Sequence, residues 1–139
     1  MSIYNFSPKG THEQNIPFAT WNDGFSEEEV DKIVQICESL QTEKAVVGND
    51  EGNVVEQIRT STISWLGLNA ESEWIYDRLA FIARNLNAKF FNFDLSGFIE
   101  DMQFTVYYGD QQGHYTWHTD CSSSSSSPRK FSIVLQLSD

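Results

Sequence analysis

A mixed α+β domain is predicted from two helix-period apolar patterns in the first 100 residues and strand-like alternation from residue 103 onward. At 139 residues, with 40% hydrophobic and 14% aromatic content, the chain fits one packed domain. The expected division is helical support over about residues 1–100 and a β-rich part over about residues 101–139, within a single domain 1–139.

Residues 1–22, punctuated by Pro8, Gly10 and Pro17, read as an irregular arm or short edge strand. Ser26 followed three residues later by Glu29 is a capping box. Val30, Ile33, Val34, Cys37 and Leu40 then recur at helical spacing. The acidic first turn of Glu27, Glu28 and Glu29 complements the helix dipole, so it is scaffold and marks no site. Residues 48–53 are a loop by composition, without the ligand series of a calcium loop.

Residues 55–65 carry β-branched side chains and read as one strand. Trp74, Ile75, Leu79, Ile82 and Leu86 mark a second amphipathic helix. Further strands are expected where Phe104, Val106 and Tyr108 alternate, and again where Phe131, Ile133, Leu135 and Leu137 do. Residues 122–127, six serines ahead of Pro128, bury little apolar surface and read as a flexible loop.

Composition excludes several classes of function. A net charge of −11 with nine basic residues argues against nonspecific nucleic-acid binding, which relies on Lys and Arg neutralising phosphates. No apolar run approaches the roughly 20 residues that span a bilayer, so no membrane association and a cytoplasmic location are expected. Two cysteines form neither a disulfide framework nor a Cys-x-x-Cys motif. Cys37 reads as a small core residue and Cys121 as a partly buried strand residue.

The chemistry-bearing motif is His118-Thr119-Asp120. On an extended strand a His and a carboxylate two residues apart project to the same side, so both reach one metal. A 2-His-1-carboxylate face with open positions is the donor set of non-haem Fe(II) oxygenases, and His-x-Asp supplies its adjacent pair. His114, four residues earlier, is expected to be an exposed loop residue because Gly113 disfavours a helix there. Arg59 reads as one half of a surface or interstrand ion pair. Trp117 is expected to point away from the ligands into the core.

Together, the helix opening on Ser26, the Arg59-x-Ser61 strand ending near Trp65, the helix through Trp74, Asn87 followed by aromatics, and residues 102–120 resemble the prolyl 4-hydroxylase-like (PKHD-type) branch of the 2-oxoglutarate- and Fe(II)-dependent dioxygenases. The resemblance implies a double-stranded β-helix, or jelly roll, with flanking N-terminal helices. It implies His118 and Asp120 as iron ligands and Tyr108 as a residue lining the 2-oxoglutarate pocket, with Gln136 as a second candidate there. The implied cofactors are Fe(II) and 2-oxoglutarate, with ascorbate as an auxiliary reductant. The implied reaction consumes 2-oxoglutarate and dioxygen, hydroxylates a peptide or protein substrate, at proline in this branch, and releases succinate and carbon dioxide.

In that family a second His ligand and a Lys or Arg anchoring 2-oxoglutarate follow several strands after His-x-Asp, further than residue 139. The C-terminal strands are therefore expected to be missing from this chain. Its open strand edges then invite a homodimer or a strand-completing partner. Two other readings stay open: a noncatalytic jelly-roll binding module, and a cupin-like metalloprotein using His114, His118 and Asp120.

Overall fold

The structure is a computed structural model that describes residues 18–45, 59–118 and 129–138. Its elements in chain order are helix α1 (Glu27–Glu38), strands β1 (Glu43–Lys44), β2 (Arg59–Thr60) and β3 (Thr62–Leu66), helix α2 (Glu73–Leu86), strand β4 (Met102–Val106) and strand β5 (His114–Tyr115). The strands form two antiparallel sheets, one ordered β1-β3-β4 and the other pairing β2 with β5. The fold class is thus mixed α+β, with two α-helices and small antiparallel sheets among the described residues.

Helix α1 begins where the capping box predicts. The Glu29 N–H donates to Ser26 Oγ (3.2 Å), and the Ser26 N–H donates to the Glu29 carboxylate (2.9 Å). Ile33, Ile36 and Cys37 form its buried stripe. The Glu29 carboxylate also pairs with Arg78 of α2 at 3.1 Å, joining the two helices. Its pKa is lowered chiefly by the Ser26 backbone hydrogen bond, which outweighs partial desolvation, with Arg78 lowering it further.

A carboxylate depressed in the folded state stabilises it above the unfolded pKa, and that contribution is lost as pH falls through the folded value. Glu29→Gln is therefore expected to flatten the loss of stability below about pH 4.3, the ordinary Glu value. Urea midpoints measured across acid pH for both proteins check this.

Helix α2 buries Ile75, Tyr76, Leu79 and Ile82. Ile75 is 1% exposed and sits in a cluster with Ile33, Ile36, Cys37, Leu66 and Leu79. Burial pushes the Cys37 thiol up to about 11, so it behaves as a small apolar filler. The Tyr76 hydroxyl donates to the Leu66 carbonyl (2.7 Å) and accepts the Met102 N–H (3.2 Å). Leu66 and Met102 are the facing residues at one end of the β3–β4 ladder, so this hydroxyl ties α2 to the sheet. Among the described residues, no helix is long and apolar enough to cross a membrane.

Several expectations are corrected. The strand expected over residues 55–65 is, within its described part, two strands in different sheets, β2 and β3. They divide at Ser61, whose carbonyl accepts the Ala45 N–H at 3.0 Å. The strand expected to include Tyr108 stops at Val106, because a 3-10 turn (Gly109–Gln111) follows. Residues 129–138 form no ladder, although their alternation survives in which side chains they bury. Leu135 and Leu137 pack against the core, and Phe131 packs edge-on against Phe91 and Phe93 at 5.0 and 5.3 Å between ring centroids. The arm before Phe18, the loop at residues 48–53 and the serine run lie outside the described residues.

Candidate metal centre

The site is built on the β2–β5 pair, in which Arg59 faces Tyr115 and Thr60 faces His114. A tight turn sets up β5. The Gly113 N–H donates to the Tyr108 carbonyl at 2.9 Å, and Gln112 just before it is left-handed at φ 54°. A Cβ on Gly113 would lie 2.8 Å from the Tyr108 nitrogen and 3.0 Å from Tyr107 Cα, so the backbones approach this closely only with glycine. The turn carries the chain from Tyr108 into β5 and on to His118.

His118 lies just past β5, and its Nδ1 is 2.7 Å from the Thr116 carbonyl. A carbonyl only accepts, so Nδ1 carries the hydrogen, and in the neutral ring the lone pair falls on Nε2. Ligating histidines characteristically donate their second ring N–H to a carbonyl or carboxylate, so the donor chemistry of His118 fits a metal. Its ring stacks on Tyr115 with centroids 3.6 Å apart and planes inclined by 14°.

Arg59 departs from its expectation. It is buried at 8% exposure and forms no ion pair among the described residues. Its Nε donates to Ser61 Oγ at 2.8 Å, and its Nη2 donates to Gln103 Oε1 at 3.0 Å and Thr105 Oγ1 at 3.3 Å. Its guanidinium carbon lies 4.7 Å from the centre of the Tyr115 ring. Neutral acceptors and a ring face stand where a carboxylate partner was expected. Gln103 and Thr105 are reachable because alternate residues of β4 share a face.

The structure thus brings Arg59, Tyr115 and His118 together. Asp120 and Cys121 lie outside the described residues. His114 is exposed, as expected, but sits in β5, with Nδ1 2.9 Å from the Gln112 carbonyl. Tyr108 is exposed at the mouth of the turn. Gln136 is exposed opposite Leu135 and Leu137 and donates to the Ser138 carbonyl at 2.7 Å.

Trp117 is fully exposed, against the expectation of a core residue. The alternation that would have turned it inward ends with β5, and Trp117 lies in a bend. Among the described residues no three His, Cys, Asp or Glu side chains converge as a metal cluster. Two surface hollows of about 440 and 540 Å³ lie beside Trp21, and neither is lined by Tyr108, Tyr115 or His118.

Sequence reasoning missed the Tyr115–His118 stack and the burial of Arg59. The signal for Arg59 was the polar pair Gln103 and Thr105, two residues apart on a strand whose other face is apolar. No periodicity announces the Tyr115–His118 stack, because residues three apart share neither a strand face nor a helix here.

No family model, curated protein or solved structure matches this chain.

Proposed function

We propose that this chain carries the iron-binding segment of a 2-oxoglutarate- and Fe(II)-dependent dioxygenase of the prolyl 4-hydroxylase-like kind, acting on a peptidyl residue, with proline first in line. The observation that carries the reading is His118, whose Nδ1 hydrogen is held by the Thr116 carbonyl, at the head of His-x-Asp. The jelly-roll architecture, a cytoplasmic setting and a strand-completing partner or second copy belong to the same proposal. The two small antiparallel sheets among the described residues support a β-helix, and the low share of basic residues supports a partner other than nucleic acid.

His118 through Nε2 and Asp120 through a carboxylate oxygen would hold the metal, and Tyr108 would line the 2-oxoglutarate side. When bound, Fe(II), 2-oxoglutarate and dioxygen would together supply oxidative hydroxylation of a C–H bond, one oxygen atom going into the product hydroxyl and the other into succinate as carbon dioxide leaves, which no protein side chain performs by itself. The chain's own contribution is positional. The Thr116 carbonyl holds the proton on Nδ1, so the lone pair remains on Nε2. The Gly113 turn fixes the distance along the chain between Tyr108 and β5.

The test is succinate release from 2-oxoglutarate by the intact protein carrying this sequence, supplied with Fe(II), ascorbate and a proline-containing peptide. Iron-dependent succinate is the expected result. Tight metal binding with no response to 2-oxoglutarate would instead favour a cupin-like metalloprotein. Neither binding nor turnover would leave a noncatalytic module.

A further inference from the structure

Arg59 is the one charged side chain buried among the described residues, and burying a guanidinium without a counter-charge is costly unless its donors are satisfied. Three neutral oxygens on Ser61, Gln103 and Thr105 satisfy part of its fork, which clamps it to β4 and to the end of β2. The cation then lies against the Tyr115 ring, and that ring lies flat against the His118 imidazole. Contacts therefore run from the three-stranded sheet through a guanidinium and a phenol to one imidazole.

Two rotations set where an imidazole aims its lone pair. The Nδ1 hydrogen bond to Thr116 decides which nitrogen faces that carbonyl, and the stack on Tyr115 decides the plane of the ring. Tyr115 is itself held by its backbone pairing with Arg59 and by the guanidinium against its ring. We propose that Tyr115 and Arg59 are positioning residues that fix the plane of the His118 ring before a metal arrives, the phenol acting as the platform and Arg59 as its anchor to β4. This rests on the metal-centre reading of His118. Neither residue touches the metal, and the phenol hydroxyl has no part in the role, so a phenylalanine serves as well.

The test is NMR of the isotope-labelled, metal-free full chain at about pH 8.5, roughly two units above the ordinary imidazole pKa. The wild-type His118 ring protons are expected upfield, from the ring current of Tyr115, and the ring nitrogens are expected to show hydrogen on Nδ1. Tyr115→Phe retains both signatures. Tyr115→Leu loses the upfield shift and lets the other tautomer in. Arg59→Lys, whose single ammonium cannot hold Ser61 through one nitrogen and Gln103 and Thr105 through another, weakens the shift partially.

Added Mn(II) then binds about 10- to 100-fold more weakly to Tyr115→Leu than to wild type, as losses of outer-shell support generally do, while Tyr115→Phe matches wild type. A wild-type ring without the upfield shift, or a Tyr115→Leu protein with unchanged tautomer and Mn(II) affinity, overturns the proposal. If the leucine variant fails to fold, Arg59→Lys decides the matter: an upfield shift, tautomer and Mn(II) affinity all equal to wild type in that variant overturn the proposal. A stacked, Nδ1-protonated ring with Mn(II) affinity that depends on Tyr115, in a protein that forms no succinate, supports the positioning role and rejects only the dioxygenase chemistry.

Discussion

His118→Ala is expected to abolish iron-dependent succinate formation, with a loss well beyond 100-fold. The magnitude follows from the donor count. Disturbing only the outer-shell partner of a ligand costs about 10- to 100-fold, and removing a ligand takes away the bond that the partner merely orients. The fold should survive. His118 lies beyond the last residue of β5 and contributes nothing to the core cluster of α1, β3 and α2. Circular dichroism and the urea midpoint should therefore match wild type while turnover disappears. Asp120→Ala should behave alike. Full 2-oxoglutarate turnover by either variant would remove both residues from the metal centre.

The largest expected effect on stability is at the opposite end of the argument. Ile75→Ala should cost about 2–5 kcal/mol, the range for deleting a buried aliphatic side chain when the surroundings only partly close the cavity. Ile75 is 1% exposed, one residue from the Tyr76 hydroxyl that bridges Leu66 and Met102. Little collapse is available there, because α1 and β3 meet α2 at the same place and Tyr76 holds the helix to the sheet. The thermal midpoint should fall on the order of 10 °C, which a melt followed by circular dichroism would read. A shift within about 1 °C would show that the cluster of Ile33, Ile36, Cys37 and Leu66 is not the packed centre of the molecule.

Both helices were legible in the sequence because their signals are local. The Ser26–Glu29 box is a pairing of residues three apart, and the stripe through Ile75, Leu79 and Ile82 is a period of 3.6. Strand boundaries were less legible. Nothing in the run from residue 55 to 65 says that Ser61 divides two sheets, since the division is made by the Ala45 N–H arriving from another part of the chain. Likewise the alternation of Phe131, Leu135 and Leu137 gives the side-chain faces correctly but cannot say whether a ladder partner lies alongside.

At the candidate site, residue types and their spacing were readable and geometry was not. Residue type and spacing single out His118, and the Nδ1 contact to Thr116 matches what a ligand requires. Arg59 was misjudged because a charge in a strand pattern suggests a surface pair. Its actual partners, Gln103 and Thr105, lie more than 40 positions away and are brought opposite by the β3–β4 ladder that continues from Ser61. Trp117 was misjudged because alternation was carried past the end of β5 into a bend.

The most direct test of the central claim, that His118 heads a metal centre, is to titrate the intact protein with Mn(II) as an Fe(II) surrogate and map paramagnetic broadening by NMR. The account predicts broadening that begins at His118, Tyr115 and Asp120, and that disappears in His118→Ala. Broadening that spares this segment, or that His118→Ala leaves unchanged, would contradict it.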